Sequence, residues 1–450
     1  MQPDAEHKPF RVGGFYELIT LAAPVIGARL GVMAMGLTDA IVVGRYSAQQ
    51  LGFHALGWAP TGVVLISSAG LLTGVQVMTS RAIGEGRLHE TGAVLRRGVI
   101  YALWIGLIAA LGLFLLGEPL LGALGLEPTL VRGAGGVLRV FALSLPLFMV
   151  ASAASSYLEG LARPNAALIA MWAANIVNLG VDLVLVPGGF GLPALGAQGA
   201  AWSTFFARLV LMAALLIYIA RMPDARALGV FDRPVRNRAA EAEQRRIGFG
   251  GGAALFAESA GFSGMNIVAG WAGGLTVAGW AVVLNVTSVV FMIPMGLGAA
   301  TAVLVGRAYG ARDPEALRRV GRMGFAIYAV TGLAISLIVW PLSRLVGSGY
   351  ATDPTLLALA STGIAIVCIA FVPDGLQVVA GMALRARGDL WTPTAVQIAS
   401  YLLVMLPLSW LLAIHFRIGL NGICLAMVAA SFVSAILLVA RFWTLSRRAL

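Results

Sequence analysis

Long apolar stretches separated by short polar breaks fill almost the whole chain, and each stretch is long enough to cross a membrane. A helix needs about 20 apolar residues to span the hydrocarbon core, at about 1.5 Å per residue. The pattern predicts twelve spans, with limits near 14–43, 55–80, 98–117, 137–158, 166–187, 197–220, 248–272, 276–306, 323–343, 356–383, 392–414 and 419–440. The expected fold class is therefore an all-α polytopic membrane protein with twelve transmembrane helices.

The chain also repeats itself with a constant shift of 226 residues. The matched pairs are Gly44 and Gly270, Ala55 and Ala281, Arg81 and Arg307, Gly84 and Gly310, Arg96 and Arg322, Gly98 and Gly324, Phe190 and Phe416, and Gly196 and Gly422. Because six spans return the chain to its starting side, the two halves have the same orientation. We expect two pseudo-symmetric six-helix bundles: an amino-terminal lobe at 1–220, a cytoplasmic connector at 221–246 and a carboxy-terminal lobe at 247–450.

Composition and charge agree with this topology. The chain is 59% hydrophobic and only 11% charged, outside the usage of soluble domains. The net charge of +11 is explained by membrane topology, because the basic residues concentrate on one side of the predicted membrane. We therefore expect no nucleic-acid partner. The other side holds only Arg45, Arg132, Arg139, Arg344 and Arg417, whereas the first side includes Lys8, Arg11, Arg236 and Arg448. Both termini are thus predicted to be cytoplasmic.

Four carboxylates lie inside the predicted spans, where an acid costs several kcal/mol unless the protein uses it. Asp39 and Asp182 both fall near the outer ends of their spans. Asn178 precedes Asp182 by one helical turn, and Thr204 lies about two turns into the sixth span. These four residues can converge in the amino-terminal lobe as oxygen ligands for Na⁺ or as a site for a shared proton.

The other two acids, Glu258 and Asp374, share a depth in the carboxy-terminal lobe. Each lies eleven residues from the inner end of its span, or about 16 Å. Gln377 lies on the same helical face as Asp374, and Asn285 in the eighth span can complete a second polar cluster. This cluster is a second candidate site for a cation or proton.

Two arginines, Arg29 and Arg208, also lie inside spans and are candidate ion-pair partners. Arg208 follows Thr204 by one turn, so we expect it to pair with Asp182 or Asp39, with a separate role in the cleft as the alternative. The histidines show no metal-ligand spacing, so no metal other than Na⁺ and no other cofactor is expected.

At this point the sequence resembles the multidrug and toxic compound extrusion (MATE) family. The resemblance covers nearly the whole chain, and its blocks are ELITLAAPVI and GLTDAIVVG, TGVQVMTSRAIGEG, ALFAE, LNVTSVVFMIPMGLGAA and VPDGLQVVAGMALRARGDLWTP. It implies two lobes around a central cleft, and antiport of H⁺ or Na⁺ against amphipathic, often cationic drugs. It further implies a monomer surrounded by lipid in the bacterial inner membrane. Glu258 and Asp374 match the NorM-type branch, whereas Asp182 resembles the DinF-type branch.

Two other functions compete with drug export. A flippase for lipid-linked oligosaccharides, from the same transporter superfamily, predicts a cleft lined by basic groups. A membrane-embedded enzyme needs paired aspartates close in sequence or a GxGD motif, and the chain has neither. We therefore do not expect an enzyme.

Overall fold

The structure is a computed structural model that describes residues 14–123, 127–189, 191–233, 237–350 and 353–447. Within these ranges it is helical and has no β-strand. The predicted residues Lys8, Arg11, Phe190, Arg236 and Arg448 lie outside the described ranges.

The first half of the chain forms seven helices that make six traverses. They are α1 (Phe15–Tyr46), α2 (Ala48–Leu71), α3 (Thr73–Gly84), α4 (Thr91–Ala123), α5 (Pro128–Gly160), α6 (Asn165–Leu185) and α7 (Ala197–Arg221). The pair α2 and α3 crosses as one span of 37 residues, Ala48–Gly84. All six predicted spans of this half therefore correspond to helices.

The second half has the same order of traverses. Its helices are α8 (Arg238–Ala272), α9 (Gly274–Gly310), α10 (Pro314–Val339), α11 (Ser343–Ser348), α12 (Pro354–Val367), α13 (Phe371–Arg387), α14 (Trp391–Ile398), α15 (Leu406–Trp410) and α16 (Leu420–Ser446). Two π-helical segments, Ala399–Met405 and Leu411–His415, flank α15 and continue the eleventh traverse.

Ten of these traverses are long and apolar enough to cross a membrane, and the pair α12 and α13, bent by 49°, gives an eleventh when counted as one span. The twelfth is α8, which is 35 residues long but has a polar start and a glycine-rich middle. The predicted fold class, twelve helices in two lobes, is confirmed.

The connector is shorter than the sequence predicts. Helix α8 begins at Arg238, nine residues before the predicted start of the carboxy-terminal lobe at 247. Asn237 caps this helix by accepting a hydrogen bond from the backbone amide of Ala240, at 3.1 Å. The polar residues 238–246 therefore extend a membrane helix, because a good cap and helix-forming residues favour an early start.

The two lobes pack closely against each other at one end of the molecule, which we call the basic end and which contains Arg81, Arg163, Arg221, Arg307 and Arg385. Glycines allow this approach: a Cβ on Gly84 would lie 2.1 Å from the carbonyl oxygen of Arg307, and one on Gly310 would lie 2.4 Å from that of Arg81. These two contacts are related by the 226-residue repeat. The repeat is thus visible in the packing of one lobe against the other.

Candidate functional site

The predicted amino-lobe residues converge around Asp39 on α1. The Asn178 side-chain amide donates to Asp39 Oδ1 at 2.9 Å, and the Thr204 hydroxyl donates to Asp39 Oδ2 at 2.6 Å. Asp182, one turn along α6 from Asn178, is close enough to Asp39 for the two carboxyl groups to interact. All four residues are buried. The structure therefore brings together the complete set predicted from spacing and depth.

The buried polar atoms left without a partner in this cluster are all acceptors. They are Oδ1 of Asn178 and both carboxylate oxygens of Asp182. Two ionised carboxylates side by side in a water-poor interior repel each other strongly, so such a pair is suited to share a proton or a cation. The donor set fits either ion, and the hydrogen bonds from Asn178 and Thr204 already occupy part of the Asp39 carboxylate.

A small cavity adjoins Asp39. Its volume of about 20 Å³ is enough for about one water molecule. Its walls include Trp58, Phe148, Thr204 and Arg208. His54, which the sequence analysis set aside, is buried in α2 and close enough to Asp39 for their charges to interact. The spacing of the histidines gave no sign of this contact, because it joins two different helices.

The predicted ion pair of Arg208 with Asp39 or Asp182 is wrong for this conformation. The Arg208 guanidinium instead donates to the Ser144 hydroxyl on α5 at 2.6 Å. It also lies over the rings of Trp58 and Phe148, 5.8 and 5.1 Å from their centroids. Sharing a helical face with Thr204 did not fix the direction of so long a side chain.

The carboxy-lobe cluster forms around Asp374, in the first turn of α13 after the break at residues 368–370. The Gln377 amide and the Ser431 hydroxyl both donate to Asp374 Oδ1, each at 3.3 Å. Gln377 Oε1 accepts from the Ser434 hydroxyl at 2.8 Å. Glu258, on α8, is buried nearby and interacts electrostatically with Asp374.

Tyr401 completes this cluster, and the sequence analysis missed it. Its hydroxyl accepts a hydrogen bond from Gln377 Nε2 at 2.5 Å and is close enough to the Glu258 carboxyl to interact with it. Tyr401 lies in the π-helical segment Ala399–Met405, and single π-turns in membrane helices often occur at functional sites. A single tyrosine in an apolar span does not stand out in the sequence as a member of a polar cluster.

The predicted membership of Asn285 in this cluster is wrong. Its amide donates to the Ala281 carbonyl of its own helix at 2.9 Å, and its side chain is exposed. The reason is the face of α9 on which it lies: the neighbouring positions Val282, Val283, Val286 and Thr287 turn into the lobe.

Arg29, the second predicted ion-pair partner, pairs with a residue outside the predicted sites. Its guanidinium lies 3.6 Å from Oε1 of Glu159 on α5. Gln76 on α3 donates to Glu159 Oε2 at 3.0 Å and to the carbonyl of Ala299 in the other lobe at 3.4 Å. Glu159 was missed because it lies one residue beyond the predicted end of the fourth span, yet it is 5% exposed.

Two buried arginines join the lobes at the basic end. Arg81 on α3 donates to the carbonyls of Ala386 and Arg385 at the end of α13, at 2.9 and 3.2 Å, and to Glu243 on α8 at 3.1 Å. Arg307 on α9 donates to the carbonyl of Gly160 at the end of α5, at 3.4 Å.

The contacts of Arg81 and Arg307 are equivalent by the internal repeat. Arg81 and Arg307 differ by 226 residues, and so do their acceptors Gly160 and Ala386. Each arginine thus binds the last carbonyls of a helix in the opposite lobe, where the helix dipole is negative. We call these two contacts the arginine clasps.

Comparisons with known proteins agree with this architecture. A family model described as MatE matches residues 24–184 and again residues 252–411, one match in each half. The probable multidrug resistance protein NorM of Caulobacter vibrioides is 52% identical over 432 residues, which cover 96% of this chain and 92% of that relative. The multidrug resistance protein PmpM of Pseudomonas aeruginosa is 30% identical over 443 residues, which cover 96% and 92%.

A solved structure gives the same picture of the fold. It is described as the outward-facing conformation of a multidrug resistance MATE family transporter of the MOP superfamily. It superposes with a TM-score of 0.89 over 96% of each chain, at 19% identity. At this identity the likeness establishes the shared fold.

Proposed function

The chain belongs to the MATE family, and on that premise we propose that it exports small-molecule drugs across a bacterial inner membrane in exchange for a cation. The observation that carries the proposal is the buried cluster of Asp39, Asn178, Asp182 and Thr204 beside a cavity. Buried intramembrane carboxylates are costly to keep, and ion-coupled transport is a role that such acids commonly have.

We propose the proton as the ion at the amino-lobe site. Asp39 already accepts hydrogen bonds from two neutral donors, which a Na⁺ ion would have to displace or share. Asp182 lies against Asp39, so a single proton between the two carboxylates relieves their repulsion. Arg208 is close enough to Asp39 for their charges to interact, and its positive charge disfavours a second cation there.

Transport then follows from alternating access of the two lobes. If the basic end faces the cytoplasm, as the distribution of arginines predicts, the arginine clasps hold the cytoplasmic side closed. The drug would enter from the cytoplasm only after both clasps open, and the proton would enter from the opposite side. A ligand moves such an equilibrium only through different affinities for its two states.

The two competing functions are less well supported. The relatives are named as multidrug resistance proteins, which favours drug export over a lipid-linked oligosaccharide flippase. Their names likewise describe a transport role instead of catalysis.

The test uses purified protein in liposomes, with dye uptake into the lumen driven by an imposed pH gradient. Wild-type protein should move the dye only with the gradient, and Asp39→Asn should lose most of this movement because it cannot bind and release the proton. Asp353→Asn is the matched control, since Asp353 is an exposed cap of α12 and asparagine caps as well as aspartate. Full gradient-driven transport by Asp39→Asn would contradict the proposal.

A further inference from the structure

Arg208 places a buried cation in the wall of the amino-lobe cavity. Its side chain is 3% exposed and lines the same cavity as Asp39, Trp58 and Phe148. The cavity lies among five helices of the amino-terminal lobe, α1, α2, α5, α6 and α7.

The direct contacts of this guanidinium with the described part of the chain are with neutral side chains. One nitrogen donates to the Ser144 hydroxyl at 2.6 Å, and the group lies over two aromatic rings. The Arg208 Nε has no hydrogen-bond partner. Among the described residues, none of the ion pairs within 4.0 Å includes Arg208.

The nearby charged and titratable groups do not supply a direct counter-charge. Asp39 on α1 is engaged by Asn178 and Thr204, and Asp182 on α6 lies against Asp39. His54 on α2 is the remaining titratable group near Asp39. A buried guanidinium with no described carboxylate within 4.0 Å is expensive to maintain inside a membrane protein, so its retention points to a ligand that brings a negative charge into direct contact with it.

We infer that Arg208 binds the carboxylate of amphipathic substrates that carry one, so that the protein transports such substrates in preference to their esters. The inference rests on the proposed export function. Arginine presents several N–H donors in a plane that matches a carboxylate, and the free Nε is one of them. Trp58 and Phe148 provide flat apolar surfaces beside the charge, suited to an aromatic ring system.

Asp39 in the same cavity extends the match to zwitterions. A substrate with a carboxylate and an amine can place the carboxylate at Arg208 and direct the amine towards Asp39. The water-sized cavity accepts only the charged group in this conformation, so the ring system enters when the lobe opens.

The test compares a xanthene dye that has a free carboxylate with the methyl ester of the same dye. The two probes share their ring system, and the ester replaces the negative charge with a neutral methyl ester group. The KM and maximal rate of gradient-driven uptake are measured for both dyes in liposomes containing wild-type protein, Arg208→Gln or Arg208→Lys. Equilibrium binding of each dye is followed by its fluorescence polarisation, which does not depend on transport.

In wild-type protein we expect the acid to have the lower KM and to bind more tightly. Arg208→Gln should weaken binding of the acid about 10- to 100-fold, with at most about a 3-fold change for the ester, because only the acid loses a charge-assisted hydrogen bond. Arg208→Lys keeps the charge and should recover part of the difference. Arg29→Gln is the control, since Arg29 pairs with Glu159 and should affect both dyes equally.

Three outcomes would overturn the inference: no preference for the acid in wild-type protein, equal losses for both dyes in Arg208→Gln, or no loss for either. Equal losses with a shifted pH profile would indicate that Arg208 acts on Asp39 and not on the substrate. If Arg208→Gln does not assemble, the wild-type preference and Arg208→Lys still decide the matter. Wild-type protein that transports neither dye would count against the proposed function itself.

Discussion

Replacing Arg81 with glutamine should open the basic end of the protein. The substitution removes the guanidinium that donates to the carbonyls of Ala386 and Arg385 in the opposite lobe. It also removes the ion pair with Glu243. All three partners belong to helices that follow the connector, so every one of these contacts joins α3 to the second half of the chain.

The size of the effect follows from the number and kind of bonds. A hydrogen bond from a charged donor contributes about 1.5–3 kcal/mol, and water replaces part of that when the lobes separate. We therefore assign about 2 kcal/mol to the Arg81 clasp, which corresponds to about a 30-fold change in the equilibrium. An open form present at about 1% would rise to about a quarter of the molecules.

The second clasp should act in the same direction. Arg307 donates to Gly160 at 3.4 Å, near the outer limit for a hydrogen bond. We expect Arg307→Gln to shift the equilibrium towards the open form as well, because it removes a hydrogen bond between the lobes. Because the two clasps hold the same pair of lobes together, the double variant should open at least as far as Arg81→Gln.

The assay is a distance measurement across the basic end. Spin labels are attached to cysteines introduced at the exposed positions Ala227 and Ala311, after replacement of the buried Cys368 and Cys424. Pulsed electron paramagnetic resonance then reports the distribution of distances. Arg81→Gln should add a longer distance that the parent protein lacks.

Arg163→Gln is the matched control at the same end. Arg163 pairs with Asp224 at 2.8 and 2.6 Å, a contact that does not cross to the other lobe. Hydrogen bonding to Arg163 lowers the pKa of the Asp224 carboxyl, so this pair is well formed at neutral pH. Its loss should leave the distance distribution unchanged. An unchanged distribution in Arg81→Gln as well would refute the role of the clasps.

Two further predictions concern tight contacts in the same framework. Gly84→Ala should shift the lobes towards the open form in the same distance assay, because the new Cβ would lie 2.1 Å from the Arg307 carbonyl oxygen. Gly112→Ala is the control and should not shift them, because a Cβ there would meet no atom within 4 Å. Tyr401→Phe removes the hydroxyl that accepts from Gln377 and interacts with Glu258, so it should change the ion concentration for half-maximal drug transport. Tyr328→Phe is the control and should leave that concentration unchanged, because the Tyr328 hydroxyl donates to a backbone carbonyl. Equal effects of the two tyrosine variants would count against a special role for Tyr401.

The amino-lobe cluster could be predicted because its rules are local and geometric. Asn178 and Asp182 share a face through the helical period, and Asp39 and Thr204 reach the same depth by counting residues from the ends of their spans. Only the placement of helices beside each other remained unknown. The structure supplies this placement, since α1, α6 and α7 pack against one another.

The clasps and Tyr401 could not be predicted for a different reason. Arg81 and Arg307 bind backbone carbonyls, which every residue has, so their acceptors leave no trace in the sequence. The repeat offered one indirect signal, since it matched the two arginines before any contact was known. Tyr401 depends on a π-helical turn, which changes the face of the helix after position 399 and defeats a count based on regular helical spacing.

Helix α1 connects the proposed proton site with the contact between the lobes. Asp39 lies near one end of α1, and Ile26 lies thirteen residues away, about 20 Å along the helix. A Cβ on Gly296 of the other lobe would lie 2.4 Å from the Ile26 side chain, so the two helices touch closely there.

The same helix also meets the network that crosses between the lobes. Arg29 on α1 pairs with Glu159, and Gln76 links Glu159 to the Ala299 carbonyl of the opposite lobe. A shift of α1 that follows protonation near Asp39 would therefore act on the lobe contact without any direct contact between the proton and the clasps. Helix α1 borders both the cavity and the interface between the lobes. Coupling of this kind requires only that the proton and the drug each favour one of two positions of this helix.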